Sequence, residues 1–241
     1  MSVKELEASV SIERLRNCAL KFEHRTLVGV EFWQFQKKDL YECYMFNERV
    51  SKEIRYILAQ FEVLLRNKVD QAYSNRFGVD WITNGKVKFS QDEIISIKEA
   101  ERRIRKNGKT ITHQRLIAKL SFGFWSRLFN SPYSQITSGF KDQIFPRNST
   151  RFVKSPLTMS EIRDRLVSLN KMRNKVSHQE FILDAKYEVS KVHQDCIDLM
   201  NLMSKGYYSI FYQYDHFKKE HSDFQTYRSA FLADPSFSDF K

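Results

Sequence analysis

The chain has 241 residues with 7 Gly and 4 Pro, few helix breakers for this length, so long helices are favoured over a many-turned sandwich or barrel. Lys and Arg number 40 against 29 Asp and Glu, a net charge of +11, and 41% of the residues are apolar. That composition excludes a disordered basic protein and points to a packed core with a polyanionic partner.

In chain order, Met1–Leu20 mixes charged and apolar residues without the apolar stretch of a signal peptide. Residues 26–35 (TLVGVEFWQF) read as either a short strand or a packed arm. From Asn47 to Tyr73 the apolar positions Val50, Ile54, Phe61, Leu65, Val69 and Ala72 recur at helical spacing, with Asn47 or Ser51 as the expected cap. Gly78, Asn84 and Gly85 mark a loop, with a short hairpin expected at 86–89. A basic helix over 91–106 closes at Asn107-Gly108, and a further helical run is expected over 112–129. Residues 130–158, with Pro132, Gly139, Pro146 and Pro156, read as loop-rich. Thr158 or Ser160 opens a helix with the stripe Ile162, Leu166, Leu169, Met172 and Val176, ending near His178. A last stripe, Val189, Val192, Cys196, Leu199, Met200 and Met203, stops at Gly206. The remaining 35 residues carry 11 aromatic rings and are expected to pack onto the helices.

No apolar run approaches the roughly 18 residues of a membrane span. Cys18, Cys43 and Cys196 are far apart, offer no zinc spacing, and suit reduced thiols in the cytoplasm. No phosphate-cradling glycine loop is present. The charge is concentrated. Residues 86–119 hold 10 Lys/Arg against 4 Asp/Glu, and residues 141–175 hold 9 against 3, so two segments of +6 carry the whole surplus. On one face they would form a track for a phosphate backbone. The exposed-looking cations Arg102, Arg103, Arg105 and Lys106 belong to the first segment, and Lys175 to the second.

One constellation carries chemistry: Arg173-Asn174-Lys175-Val176-Ser177-His178, or R-N-x-x-x-H, at a helix end. Imidazole titrates near neutrality and suits proton transfer from a ribose 2′-OH or to a leaving 5′-oxygen. Guanidinium matches phosphate geometry and stabilises the charge of a pentacovalent transition state. Asn174 would orient the histidine or donate to phosphate. No metal or other cofactor is called for. Asn174 and His178 share a helix face, but Arg173 and His178 are five apart and rotated by about 140°. The trio converges only if the helix end bends or a second copy completes the site.

Ordered segments across about 47–182 carry a resemblance. They are FNERVS (46–51), FEVLLRN (61–67), FG-x-DW (77–81), IKEAERRI (97–104), IAKLSFGFW (117–125), SPY (131–133), IFP (144–146) and RN-x-x-x-H (173–178). In these the chain resembles the bacterial Abi-like (abortive infection) proteins of the HEPN superfamily. The resemblance implies an all-α HEPN-type bundle, here a single domain over 1–241: an N-terminal extension at 1–45, a helical core at 46–205 and an aromatic extension at 206–241. It implies a metal-independent RNA endonuclease of a defence or toxin system, active as a homodimer, with Arg173 and His178 as the catalytic pair and Asn174 beside them. RNA is the implied partner, with a protein or small-RNA antitoxin as regulator. Glu62 and Arg66 of FEVLLRN either flank the cleft or form an ion pair along one helix. The chain departs from the family in continuing Gln179-Glu180-Phe181 where His-Glu-Pro is common, and Glu180 stands where some HEPN toxins carry a tyrosine. A non-catalytic RNA-binding module is the alternative.

Overall fold

The computed structural model describes residues 37–183 and 188–233, with Val10 and Arg14 besides. The arm at 26–35, Cys18 and the last residues of the tail lie outside the described residues. The described chain is helical, in the order α1 (Lys37–Phe77), α2 (Gln91–Lys106), α3 (His113–Ile117), α4 (Phe122–Arg127), α5 (Ser134–Ser138), α6 (Lys141–Ile144), α7 (Met159–Ser177), α8 (Val189–Met203), α9 (Tyr207–Phe211), a 3-10 turn (Tyr212–Tyr214) and α10 (Phe217–Ala233). No strand occurs among the described residues, which are all-α. No helix among them is long and apolar enough to cross a membrane.

Where the pattern was strongly periodic the helices fall where expected. The stripe of α7 is fully buried, from Ile162, Leu166 and Leu169 at 0% exposure to Met172 at 2% and Val176 at 1%. Its start is a capping box. Thr158 Oγ1 accepts from Glu161 N (3.2 Å), and Glu161 Oε2 accepts from Thr158 N (2.7 Å). Helix α2 closes on Gly108 at φ +66°, with Gly108 N bonded to Arg105 O and Lys109 N to Ile104 O.

Three expectations are corrected. Helix α1 begins ten residues before Asn47, because 37–46 is rich in good helix formers, and Asn47 and Ser51 are buried within it rather than capping it. No hairpin forms at 86–89. The Asn84 side chain bonds Phe77 O, Asp80 Oδ1 and Lys86 N, and closes the loop on itself. The run at 112–129 is two short helices. Leu116, Ile117, Leu120, Phe122, Phe124, Trp125, Leu128 and Phe129 are all buried. One straight helix has a single inward stripe, and the break at 118–121 lets both sets turn inward.

The chain gathers into two compact units: residues 1–57, 172–194 and 211–241, and residues 58–171 and 195–210. Neither is contiguous, and the boundaries fall inside α1, α7, α8 and α9. In the second unit the core is aromatic: Tyr73 lies 4.6 Å from Trp81, Trp125 5.1 Å from Phe124, and Phe61 5.8 Å from Phe122, all buried. A polar knot pins α2 to α4 there. Buried Glu93 accepts from Ser90 Oγ, from Arg127 Nε (2.5 Å) and from Tyr133 OH (2.8 Å). Burial alone would raise the Glu93 carboxyl, but the bonds from Ser90, Arg127 and Tyr133 outweigh it and hold the group below the ordinary carboxylate range.

In the first unit α10 packs against α1. Arg49 of α1 meets Glu220 (2.6 Å) and Asp223 (3.3 Å), and Phe46 lies 5.9 Å from buried Phe224. The aromatic tail thus divides its labour. Phe217 and Phe224 are buried, whereas Tyr212 and Tyr214 remain about 60% exposed.

Candidate functional site: the carboxyl end of helix α7

Helix α7 stops at Ser177 because the chain turns left-handed two residues later. Gln179 has φ +54°, and it is the one non-glycine with positive φ among the described residues. Gln179 N bonds Val176 O (3.4 Å) and Glu180 N bonds Lys175 O (3.0 Å), the two bonds of a Schellman cap with His178 as the residue that closes the helix. The Lys175 ammonium meets the Glu180 carboxylate at 3.0 Å, so a side-chain ion pair doubles the backbone bond between the same two residues.

Helix α1 holds this end from one face. Asn47, Ser51 and Arg55 lie at steps of four. Asn47 Oδ1 accepts from Ile182 N (2.8 Å) and Asn47 Nδ2 donates to Glu180 O (3.4 Å). Arg55 Nη2 donates to Val176 O (3.2 Å), satisfying an end carbonyl and setting a positive charge at the negative pole of α7. Arg14 Nη1 donates to Gln179 Oε1 (2.8 Å). Ser51 Oγ is buried and without a partner among the described residues.

On this platform His178 is exposed, and its ring has no hydrogen-bond partner among the described residues. Its backbone N–H is shared between Asn174 O (3.0 Å) and Lys175 O (3.2 Å). Arg173 is half-buried and Nη1 donates to Asn174 Oδ1 at 3.4 Å. The helix runs to Ser177, and no hydrogen bond joins Arg173 to His178 among the described residues. One chain therefore presents the two groups on diverging faces of one helix end.

The other residues read from the sequence belong to the second unit. Glu62 and Arg66 are half-buried one turn apart on α1, and Arg66 Nε donates to Asn67 Oδ1 (3.2 Å). On α2, Arg103 pairs with Glu99 and Arg105 with Glu101, each at 3.5 Å. Arg102 and Lys106, which share a face with Lys98, are exposed and have no carboxylate partner among the described residues.

Several polar groups escaped the sequence reading. His193 and Asp215 are both buried in the first unit, with Nε2 2.9 Å from Oδ2, and Phe217 stacks on the imidazole at 4.1 Å. Glu53, also buried, accepts from His216 N at 3.0 Å. The only prior signal was an imidazole on an apolar stripe. Among the described residues no three His, Cys, Asp or Glu side chains gather closely enough to hold a metal ion. No family model, curated protein or solved structure matches the chain.

Proposed function

We propose that this protein is an RNA endonuclease of the Abi-like HEPN type, acting in phage defence or as a toxin, with Arg173 and His178 as its catalytic pair. The observation that carries the reading is the end of α7. There an exposed imidazole with no partner among the described residues closes a helix whose last turn holds Asn174, with Arg173 the residue before it, and the turn is fixed by Asn47 and Arg55.

The chemistry follows from the groups. One His178 takes the 2′-OH proton as the 2′-oxygen attacks phosphorus. The bond to the 5′-oxygen breaks, and the His178 of a second copy returns a proton to that oxygen. The two Arg173 guanidiniums stabilise the charge on the pentacovalent phosphorane. The products are a 2′,3′-cyclic phosphate and a 5′-OH. In this reading two copies supply the paired groups, since positions five apart on a helix are rotated by about 140°. The same divergence supports a second reading, an RNA-binding module without catalysis, if the chain stays a monomer. A protein or RNA antitoxin that occupies the cationic surface is the expected regulator.

The test is purified protein on RNA in excess EDTA, with the new ends mapped. Wild type is expected to cut and leave cyclic phosphate, with Arg173→Ala and His178→Ala each at least 100-fold slower, on the order of the general acid–base contribution. Undiminished cutting by His178→Ala, or cutting only with added divalent metal, sinks the mechanism.

A further inference from the structure

A second concave surface lies in the unit formed by 58–171 and 195–210, and nothing above uses it. It is a groove of about 500 Å³, in the range of small-molecule sites, between the 147–157 loop, α7 and the end of α8. The loop is built rather than slack. Asn148, 5% exposed, clamps Leu157 through both its backbone groups (2.7 and 2.8 Å), and Arg147 N bonds Leu202 O at 3.1 Å.

The charges in it are of two kinds. Arg165 is paired with two carboxylates, Asp195 (3.0 Å) and Asp198 (3.6 Å). Arg147 and Lys205, which line it, have no carboxylate partner among the described residues, and neither has Arg151, which does not line it. Arg147 is instead laid over the ring of Phe152 at 4.5 Å, and Arg151 over the same ring at 5.4 Å. Phe152 is 42% exposed, an unusual setting for phenylalanine. Asn201 adds a half-buried amide to the wall. An exposed ring, guanidinium groups over it, cations without counter-charges and one amide are the parts used to hold an unpaired nucleotide: a π surface for the base and point charges for the phosphate.

We propose that this groove holds one nucleotide of single-stranded RNA, with the phosphate on Arg147 and Lys205 and the base stacked on the Phe152–Arg151 surface. The choice of RNA rests on the function proposed above, but no part of the site includes Arg173 or His178.

The test uses the full chain carrying His178→Ala, so that the strand is not consumed, and a fluorescent ten-nucleotide RNA read by anisotropy across a salt series. Phe152→Leu is expected to weaken binding about tenfold with the salt slope unchanged, and Phe152→Trp to retain it. Arg147→Gln and Lys205→Gln are each expected to weaken binding and to reduce the slope by about 0.7, the loss of one phosphate contact to a single strand. Circular dichroism checks that each variant is folded.

Binding indifferent to Phe152→Leu overturns the site. So does equal competition by duplex RNA, and so does displacement by a free mononucleotide at the concentration of the strand. A wild-type chain that binds no RNA overturns both this proposal and the one before it. Phe152-dependent binding by a chain that never cuts RNA supports the groove and removes the nuclease. His178-dependent cutting with Phe152-independent binding removes the groove alone.

Discussion

Gln179 holds a conformation that glycine usually takes at a helix end, and it does so beside the residue proposed for catalysis. Gly108 takes the same position after α2 without cost. Replacing Gln179 by Gly is therefore expected to stabilise the protein by about 1 kcal/mol, read as a shift in the urea midpoint, because the exposed bond from Arg14 contributes little. An unchanged or lower midpoint refutes the strain argument. Two buried groups carry pH dependence, one in acid and one in alkali. The depressed Glu93 contributes stability that is present above the unfolded carboxyl value near 4.3 and is lost as pH falls through its lower folded value. Glu93→Gln is expected to cost about 2 kcal/mol at pH 7, with the difference from wild type shrinking in acid. Tyr73, fully buried, is pushed up to about 12 by burial, against the lowering effect of its bond to Thr137. Its contribution is complete below the unfolded phenol's value near 10 and is lost as pH rises through about 12. Tyr73→Phe is expected to flatten that alkaline limb in a thermal-melt series.

Helix α7 is set at its two ends by different means. Thr158 and Glu161 cap its start within four residues of sequence, whereas its finish relies on α1, more than a hundred residues away. Asn47 makes two of those bonds, and its loss leaves the buried Ile182 N–H without a partner. Asn47→Ala is expected to cost about 2 kcal/mol. It is also expected to slow RNA cleavage, although Asn47 touches no substrate in the proposed reaction. Asn47→Asp keeps the acceptor for Ile182 N and is expected to recover most of the stability. If Asn47→Ala cuts RNA at the wild-type rate, the positioning role is wrong. The boundaries of α2, α7 and α8 were legible because caps and 3.6-residue stripes are local signals. The break between α3 and α4 was not, because a run that is apolar on every side does not say where it must fold back on itself.

For the whole molecule, the proposed reaction makes assembly a requirement. Arg173 and His178 diverge on one helix end, so activity is expected from a species of twice the 28.8 kDa chain mass. Light scattering with activity across a dilution series checks this: cleavage per chain is expected to fall as the two-chain species dissociates. Full activity from a monomer refutes the shared site. The charge surplus has also acquired a finer grain. Of the cations at 141–175, Arg165 and Lys175 are spent on internal pairs, while Arg147 and Arg151 are not.

The sequence by itself determined the all-α class, the amphipathic faces of the long helices and the R-N-x-x-x-H segment at the end of one of them. These depend on spacing and capping within a few turns, which neighbours in the chain decide. Tertiary structure alone decided that Asn47 lies inside a helix and serves another, and that His193 pairs with Asp215. It also decided that Arg147, Phe152 and Lys205 line one groove. Asn47 and Ile182 are 135 positions apart, His193 and Asp215 22, and Lys205 lies 58 beyond Arg147; hydrogen bonds and packing join them, and no local pattern specifies those partners.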